Sequence, residues 1–223
     1  MRKALPISCS FAFVVLFAAM TARAVTVEMN YTGPEGNNSG GVYVYPYNFT
    51  FGSSSETYPL MCDDFVHEIM APQSWDASTL NVSSLNSSNV LGLNFPGAGV
   101  TGYLEAAYLF TEEVTAYDDS NSDPEGLYNW AVWDLLKGSD VSGTHLDSTD
   151  EATVQNYLDA AEADGSSLTP SDFPDVVIYT PFDMSPGGPQ EFMGYNTPVT
   201  PIPEPTTLGL LLSGSLLLLG RKR

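Results

Sequence analysis

Cys62, Asp63, Asp64 and His67 form the densest cluster of reactive side chains in this 223-residue sequence. A thiol, two carboxylates and an imidazole so close together could make a nucleophile, a metal site or a buried polar knot. Nearby carboxylates raise a thiol's pKa, which opposes a thiolate nucleophile. Strand alternation would put Met61, Asp63 and Phe65 on one face, and Cys62, Asp64 and Val66 on the other. The plain expectation for Cys62 is a small buried apolar residue, with no internal disulfide, because the other cysteine, Cys9, lies in the leading apolar segment. Asp63, Asp64 and His67 could ligate a metal, but the second histidine, His145, sits in a Gly/Ser-rich loop. No His-based zinc or catalytic centre is therefore expected, and no metal and no cofactor.

Asp119, Asn121, Asp123 and Glu125 match the alternating ligand positions of a calcium loop. Pro124 stands where the sharp-turn glycine belongs and Trp130 where the bidentate glutamate belongs, so Asp123 and Pro124 are better read as a helix start. Hydrolase chemistry has no signature. There is no Gly-x-Ser-x-Gly, no phosphate-cradling glycine loop, and Glu112, Glu113, Asp118, Asp119, Asp159, Glu162 and Asp164 read as caps, turns and solvated faces. No catalytic residue is assigned. Between residues 25 and 202 one base, Lys137, faces 26 acids, a net charge of −25. Such a body repels phosphate backbones and anionic lipid, which excludes nucleic acid as a partner. With 12% aromatic and 43% hydrophobic residues it can still build a core.

The two ends differ from that body. Arg2 and Lys3 precede an apolar run, Phe11 to Met20, and Ala22-Arg23-Ala24 supplies small residues around a cleavage point. Residues 1–24 are thus expected to be a signal peptide cut before Val25, the alternative being an uncleaved anchor. At the other end come Pro201, Pro203 and Pro205 in an extended segment, an apolar stretch from Leu208 to Gly220, and Arg221-Lys222-Arg223. Those 13 residues fall short of the roughly 20 that span a bilayer, and the bases hold the end on the cytoplasmic side. A plain C-terminal membrane anchor is the other reading.

Ile202-Pro203-Glu204-Pro205-Thr206, the leucine-rich run and the basic end together resemble the PEP-CTERM sorting signal of bacterial surface proteins. The resemblance implies recognition of Pro203, Glu204 and Pro205 by an exosortase, a membrane cysteine protease, and removal of the tail. It also implies a Gram-negative-type envelope in a bacterium that secretes exopolysaccharide. The protein would be exported across the inner membrane, held there by its C-terminal helix until processed, and then belong to the cell surface or extracellular matrix.

Between the ends lies enough chain for one sizeable core, so the expected layout is 1–24 signal peptide, 25–199 extracytoplasmic domain and 200–223 sorting signal. Val25, Val27, Met29 and Tyr31 alternate as a strand. Tyr43, Tyr45, Tyr47, Phe49 and Phe51 put five aromatics on one face of another, which Pro46 bends or places at an edge. Thr57 to Ile69 is a third strand candidate, and 76–100, rich in Ser, Asn and Gly, reads as loop with short strands. Helices are expected over Leu104 to Tyr117, from Asp123 to Lys137-Gly138, and from Ser148, boxed with Glu151, to Gly165. Asp175 to Phe182 and Gln190 to Tyr195 are closing strands. Strands, then helices, then strands imply an α+β single domain, with a β-rich antiparallel N-terminal part and about three helices packed on it.

Cys62-Asp63-Asp64-Phe65-Val66-His67, Ala106-Ala107-Tyr108-Leu109 and Asn129-Trp130-Ala131-Val132-Trp133 resemble blocks of proteins that bear this sorting tail. More distantly they are similar to the thioester adhesin domains of bacterial surface proteins. Those domains join a cysteine to a helix glutamine as an electrophile for matrix amines; here Asn129 stands at the glutamine position. Cys62 and Asn129 are therefore a candidate pair, reactive or structural, with a hydrogen bond from Asn129 to the Cys62–Asp64 strand as the non-reactive form. The leading expectation is a non-enzymatic exported surface or matrix protein. Alternatives are a covalent or carbohydrate-binding adhesin, its aromatic strand stacking on extracellular polysaccharide, or a carbohydrate-active hydrolase.

Overall fold

The computed structural model describes residues 25–35, 38–118 and 126–196. In chain order the strands are β1 (Val25–Pro34), β2 (Asn38–Ser39), β3 (Val42–Tyr43), β4 (Tyr47–Phe51), β5 (Tyr58–Cys62) and β6 (Gln73–Asn81). Helices α1 (Gly99–Asp118), α2 (Leu127–Lys137) and α3 (Ser148–Gly165) follow, then β7 (Val176–Pro181) and β8 (Phe192–Tyr195). Six strands close into an antiparallel barrel in the order β1-β4-β5-β8-β7-β6, while β2 and β3 form a separate small hairpin. The fold is α+β, as expected, but the β part is not confined to the N-terminal half. β8 is the piece that joins β5 to β7, so the last strands complete what the first begin.

Residues directly opposite in antiparallel pairs share a face, and the register traces that face around the barrel. Tyr31 lies opposite Phe49, Met29 opposite both Phe51 and Trp75, Cys62 opposite Phe192, and Phe192 opposite Tyr179. These side chains fill the interior with rings: Phe49 stands 4.7 Å from Phe192 and 5.3 Å from Tyr31 between centroids. The opposite face of β5, β8 and β7 carries Met61, Met193 and Ile178, each fully buried beneath the helices. That is why all six residues of β7 are buried and why Val176, Val177 and Ile178 run without alternation.

Several expected boundaries shift for identifiable reasons. The aromatic stripe is not one strand. The chain turns at the cis Tyr45–Pro46 bond, so Tyr47, Phe49 and Phe51 face the barrel interior while Tyr45 packs edge-on to Phe110 of α1 and only Tyr43 is exposed. The strand expected over 57–69 stops at Cys62, beyond which Asp64 bonds turns instead of a ladder. Most of β6 falls where loop with short strands was expected, and it is one nine-residue strand. Its Trp75, Ala77 and Thr79 alternate inward against Ser74, Asp76 and Ser78, a pattern hidden by its small polar residues. α1 starts five residues before Leu104, at Gly99, and thereby includes Tyr103.

The cap of α3 is Asp147, whose carboxylate accepts from the Thr149 and Asp150 amides, rather than Ser148. α2 starts after Gly126; Asp123 and Pro124, where a helix start was expected, lie with the calcium-loop positions 119–125 outside the described residues. It ends as expected at Lys137, with Gly138 left-handed behind it. The expected signal peptide with Ala22 and Ala24, and the expected sorting tail with Pro203, Glu204 and Pro205, also lie outside. Among the described residues no helix is long and apolar enough to cross a membrane.

Gly126 sets how α2 meets the chain that leads into β4. Its φ is +62°, and a Cβ there would fall 2.3 Å from a Val44 methyl. Gly126→Ala is expected to lose about 3 kcal/mol of stability, strain and overpacking together. Urea unfolding would measure it, and a loss below about 1 kcal/mol would mean that Val44 moves aside freely.

Candidate functional site

The reactive cluster lies at one mouth of the barrel, where β5 ends and β8 begins. Cys62, the last residue of β5, points inward and is fully buried. Its thiol donates to the Asp64 carbonyl at 3.2 Å, and the sulfur accepts from the Asp64 amide at 3.4 Å. Burial pushes the thiol pKa well up, and the Asp64 and Asp63 carboxylates push it further. Such surroundings disfavour the thiolate, the form in which a cysteine attacks.

Asn129, on the buried face of α2, bridges this strand end to the chain before β4. Its Oδ1 accepts from the Tyr45 amide at 3.0 Å and its Nδ2 donates to the Cys62 carbonyl at 2.7 Å. The structure thus brings Cys62 and Asn129 together through the main chain of Cys62, with both ends of the side-chain amide engaged. This is the geometry of a clamp.

Asp63, Asp64 and Glu191 are all buried, and they differ in how they are satisfied. Asp64 bends the chain back: one oxygen accepts from the Val66 and His67 amides, the other meets His67 Nδ1 and Asn94 Nδ2, both at 2.7 Å. Glu191 collects donors from three segments: Tyr103 Oη on α1, Thr180 Oγ1 on β7 and the Asn94 amide. The main-chain amide of Asp63 donates to the Glu191 carbonyl, but neither carboxylate oxygen of Asp63 has a hydrogen-bond partner among the described residues. Burial is the largest cause raising both acids, Asp63 well above the usual carboxylate range and Glu191 to about 7. Three donors on Glu191 favour its anion and none favours that of Asp63, so Asp63 is held neutral to higher pH than Glu191. Sequence reasoning missed Glu191, Tyr103 and Asn94. They lie far apart in the chain, and nothing in their spacing shows that they meet.

Beside this knot the mouth opens into a cleft of about 460 Å³. Tyr31, Tyr47 and Trp133 are its buried aromatic members, Tyr43 and Phe65 are more open, and His67, Glu68, His145 and Gln190 supply polar groups. Phe65 is the hub, with ring centroids 4.9 Å to Trp133 and 5.5 Å to His145, and Lys137 Nζ 5.4 Å from its own. The β2–β3 hairpin closes one side. A Cβ at Gly40, in its turn, would sit 2.9 Å from Trp130 and 3.1 Å from His145 Cβ. Glu68 is the only carboxylate lining the cleft among the described residues, and no group of three potential ligands there could hold a metal ion. Comparison with protein-family models, with curated proteins and with solved structures gives no match.

Two measurements test the knot. Asn129→Ala leaves the Tyr45 amide and the Cys62 carbonyl without partners and is expected to cost about 3 kcal/mol in chemical denaturation; a near-neutral result would remove the clamp. The pH dependence follows from the raised acids. The folded chain holds protons that the unfolded chain releases, so stability is greatest below the ordinary carboxylate pKa and falls as pH rises from about 4 through 7. Each such proton contributes a slope of about 1.4 kcal/mol per pH unit. Asp63→Asn, neutral at every pH, is expected to flatten the curve and raise the melting temperature at pH 8; an unchanged slope would place the proton elsewhere.

Proposed function

We propose that the chain is an exported, non-enzymatic protein of the cell surface or extracellular matrix, delivered by its N-terminal signal and processed at its C-terminus by an exosortase-type membrane protease. The observation that carries this reading is the three-part tail: Ile202-Pro203-Glu204-Pro205-Thr206, the apolar Leu208–Gly220 stretch and Arg221-Lys222-Arg223. Two features of the folded part support it. Cleavage before Val25 would leave every paired residue of β1 in place, since Val25 already pairs with Thr79. The barrel is closed by β8, which ends at Tyr195, so removal of the tail near Pro203–Pro205 would cost the fold none of its described strands.

A non-enzymatic role is supported by the burial of Cys62, Asp63, Asp64 and Glu191, which keeps thiol and carboxylates from a substrate. The inner membrane is then a station on the route, occupied through the apolar C-terminal stretch, and the surface or the matrix is the destination.

Intact mass of the protein recovered from its native cell surface, beside the chain made without the protease, tests this. The expected form starts at Val25 and lacks the basic end. A recovered chain that still ends in Arg221–Arg223 would make it a membrane-anchored protein instead. The same spectrum reads the Cys62–Asn129 pair. The clamp requires the unmodified mass, whereas a deficit of about 17 Da that methylamine abolishes would reveal a thioester.

A further inference from the structure

We propose that the cleft at the barrel mouth binds a neutral carbohydrate, one or two pyranose rings of a longer chain. A pyranose presents flat C–H faces and an equatorial belt of hydroxyls. It is held where aromatic faces and a few polar groups converge on one concavity. Here the aromatic faces are Tyr43 and Phe65 at the opening, with Trp133 deeper. His67, Glu68, His145 and Gln190 supply the polar groups for the hydroxyls.

The size agrees. About 460 Å³ takes one or two sugar rings and is open enough for the chain to continue outward. The aromatic surface is also held in place before any ligand arrives. The Tyr47 hydroxyl donates to the Tyr43 carbonyl, fixing the hairpin that carries Tyr43. The Asp64 carboxylate holds the main chain of Val66 and His67 and meets the His67 ring, fixing the loop that carries Phe65. Preorganisation of this kind lowers the ordering cost of binding.

Charge selects the class. No lysine or arginine lines the cleft, Glu68 does, and the surrounding body carries a net −25. Lys137, the only basic residue between 25 and 202 apart from the histidines, lies over the Phe65 ring and outside the lining. An acidic polysaccharide would meet the repulsion of that net charge with no lysine or arginine in the lining to offset it, whereas a neutral one meets none.

This deepens the surface-protein reading, on which it rests only for the setting. Calorimetry reads the cleft and mass reads the processing, so either can fail alone. The protein recovered from its native envelope would be titrated with cellohexaose, laminarihexaose, mannohexaose and chitohexaose, and with an oligogalacturonate hexamer as the acidic probe. Saturable binding to at least one neutral hexamer, with none to the acidic one, is the expected result. Tyr43→Ala should weaken that binding at least tenfold at an unchanged melting temperature, because the side chain is half exposed and the carbonyl that Tyr47 uses remains. His145→Ala, also exposed, is a second variant expected to weaken it. Failure of every neutral hexamer, tighter binding of the acidic one, or unchanged affinity in both variants would overturn the assignment.

Discussion

Asn129 commits its whole side-chain amide to main chain, and the arrangement of barrel and helices depends on that commitment. β5 ends at Cys62 just where the helical layer begins, leaving a buried carbonyl that no strand neighbour takes. The chain entering β4 has the complementary problem at the Tyr45 amide. A single planar amide with one donor end and one acceptor end solves both, provided α2 stands where Asn129 reaches both groups. Hydrophobic packing alone would leave α2 free to slide relative to the end of β5. The two hydrogen bonds remove that freedom, since an unpaired buried amide or carbonyl costs about 1–3 kcal/mol.

The same seam explains how so acidic a domain tolerates three carboxylates at its centre. The surface acids are solvated and repel one another weakly through water. The buried ones must be neutralised or surrounded by donors. Asp64 and Glu191 are surrounded, by the 66–67 turn and Asn94 in one case, and by Tyr103, Thr180 and Asn94 in the other. Asp63 is left with neutralisation, because a second anion beside Glu191 would face both desolvation and like charge. The knot therefore ties α1, β7, the loop before α1 and the end of β5 together without a lysine or arginine, His67 on Asp64 being its one ring nitrogen contact.

Much of this was legible in the residues and some was not. The end of α2 at Lys137 could be read because Ala131, Val132 and Leu136 keep helical spacing along its buried face up to Gly138. Asn129 could be placed on that buried face from spacing alone. Barrel closure could not be read. Alternation tells which face of a strand is buried but not which strand pairs with which, and the decisive β5–β8 pairing joins residues about 130 apart in sequence. β6 was obscured because its inward positions are Trp75, Ala77 and Thr79, of which only one announces a core. The aromatic stripe looked continuous because Tyr45 and Tyr47 keep the spacing of two, although the turn at Pro46 sends them into different layers.

That division of the stripe is also what makes a surface feature out of a core motif. Had Tyr43 to Phe51 run as one straight strand, all five rings would lie on one face and be consumed by the barrel. With the chain turning at Pro46, three rings fill the interior, Tyr45 goes to the helices, and Tyr43 is left on a hairpin facing Phe65 across the cleft. The loop bearing Phe65 and His67 is in turn shaped by Asp64, a residue of the buried knot. The cleft is thus assembled from the places where the barrel's own ladder stops, and its walls are held by hydrogen bonds that the fold already needs. A mouth of that kind can vary its exposed residues, Tyr43, Glu68 and His145, without disturbing what lies beneath, so ligand preference would reside in the rim while stability resides in the knot.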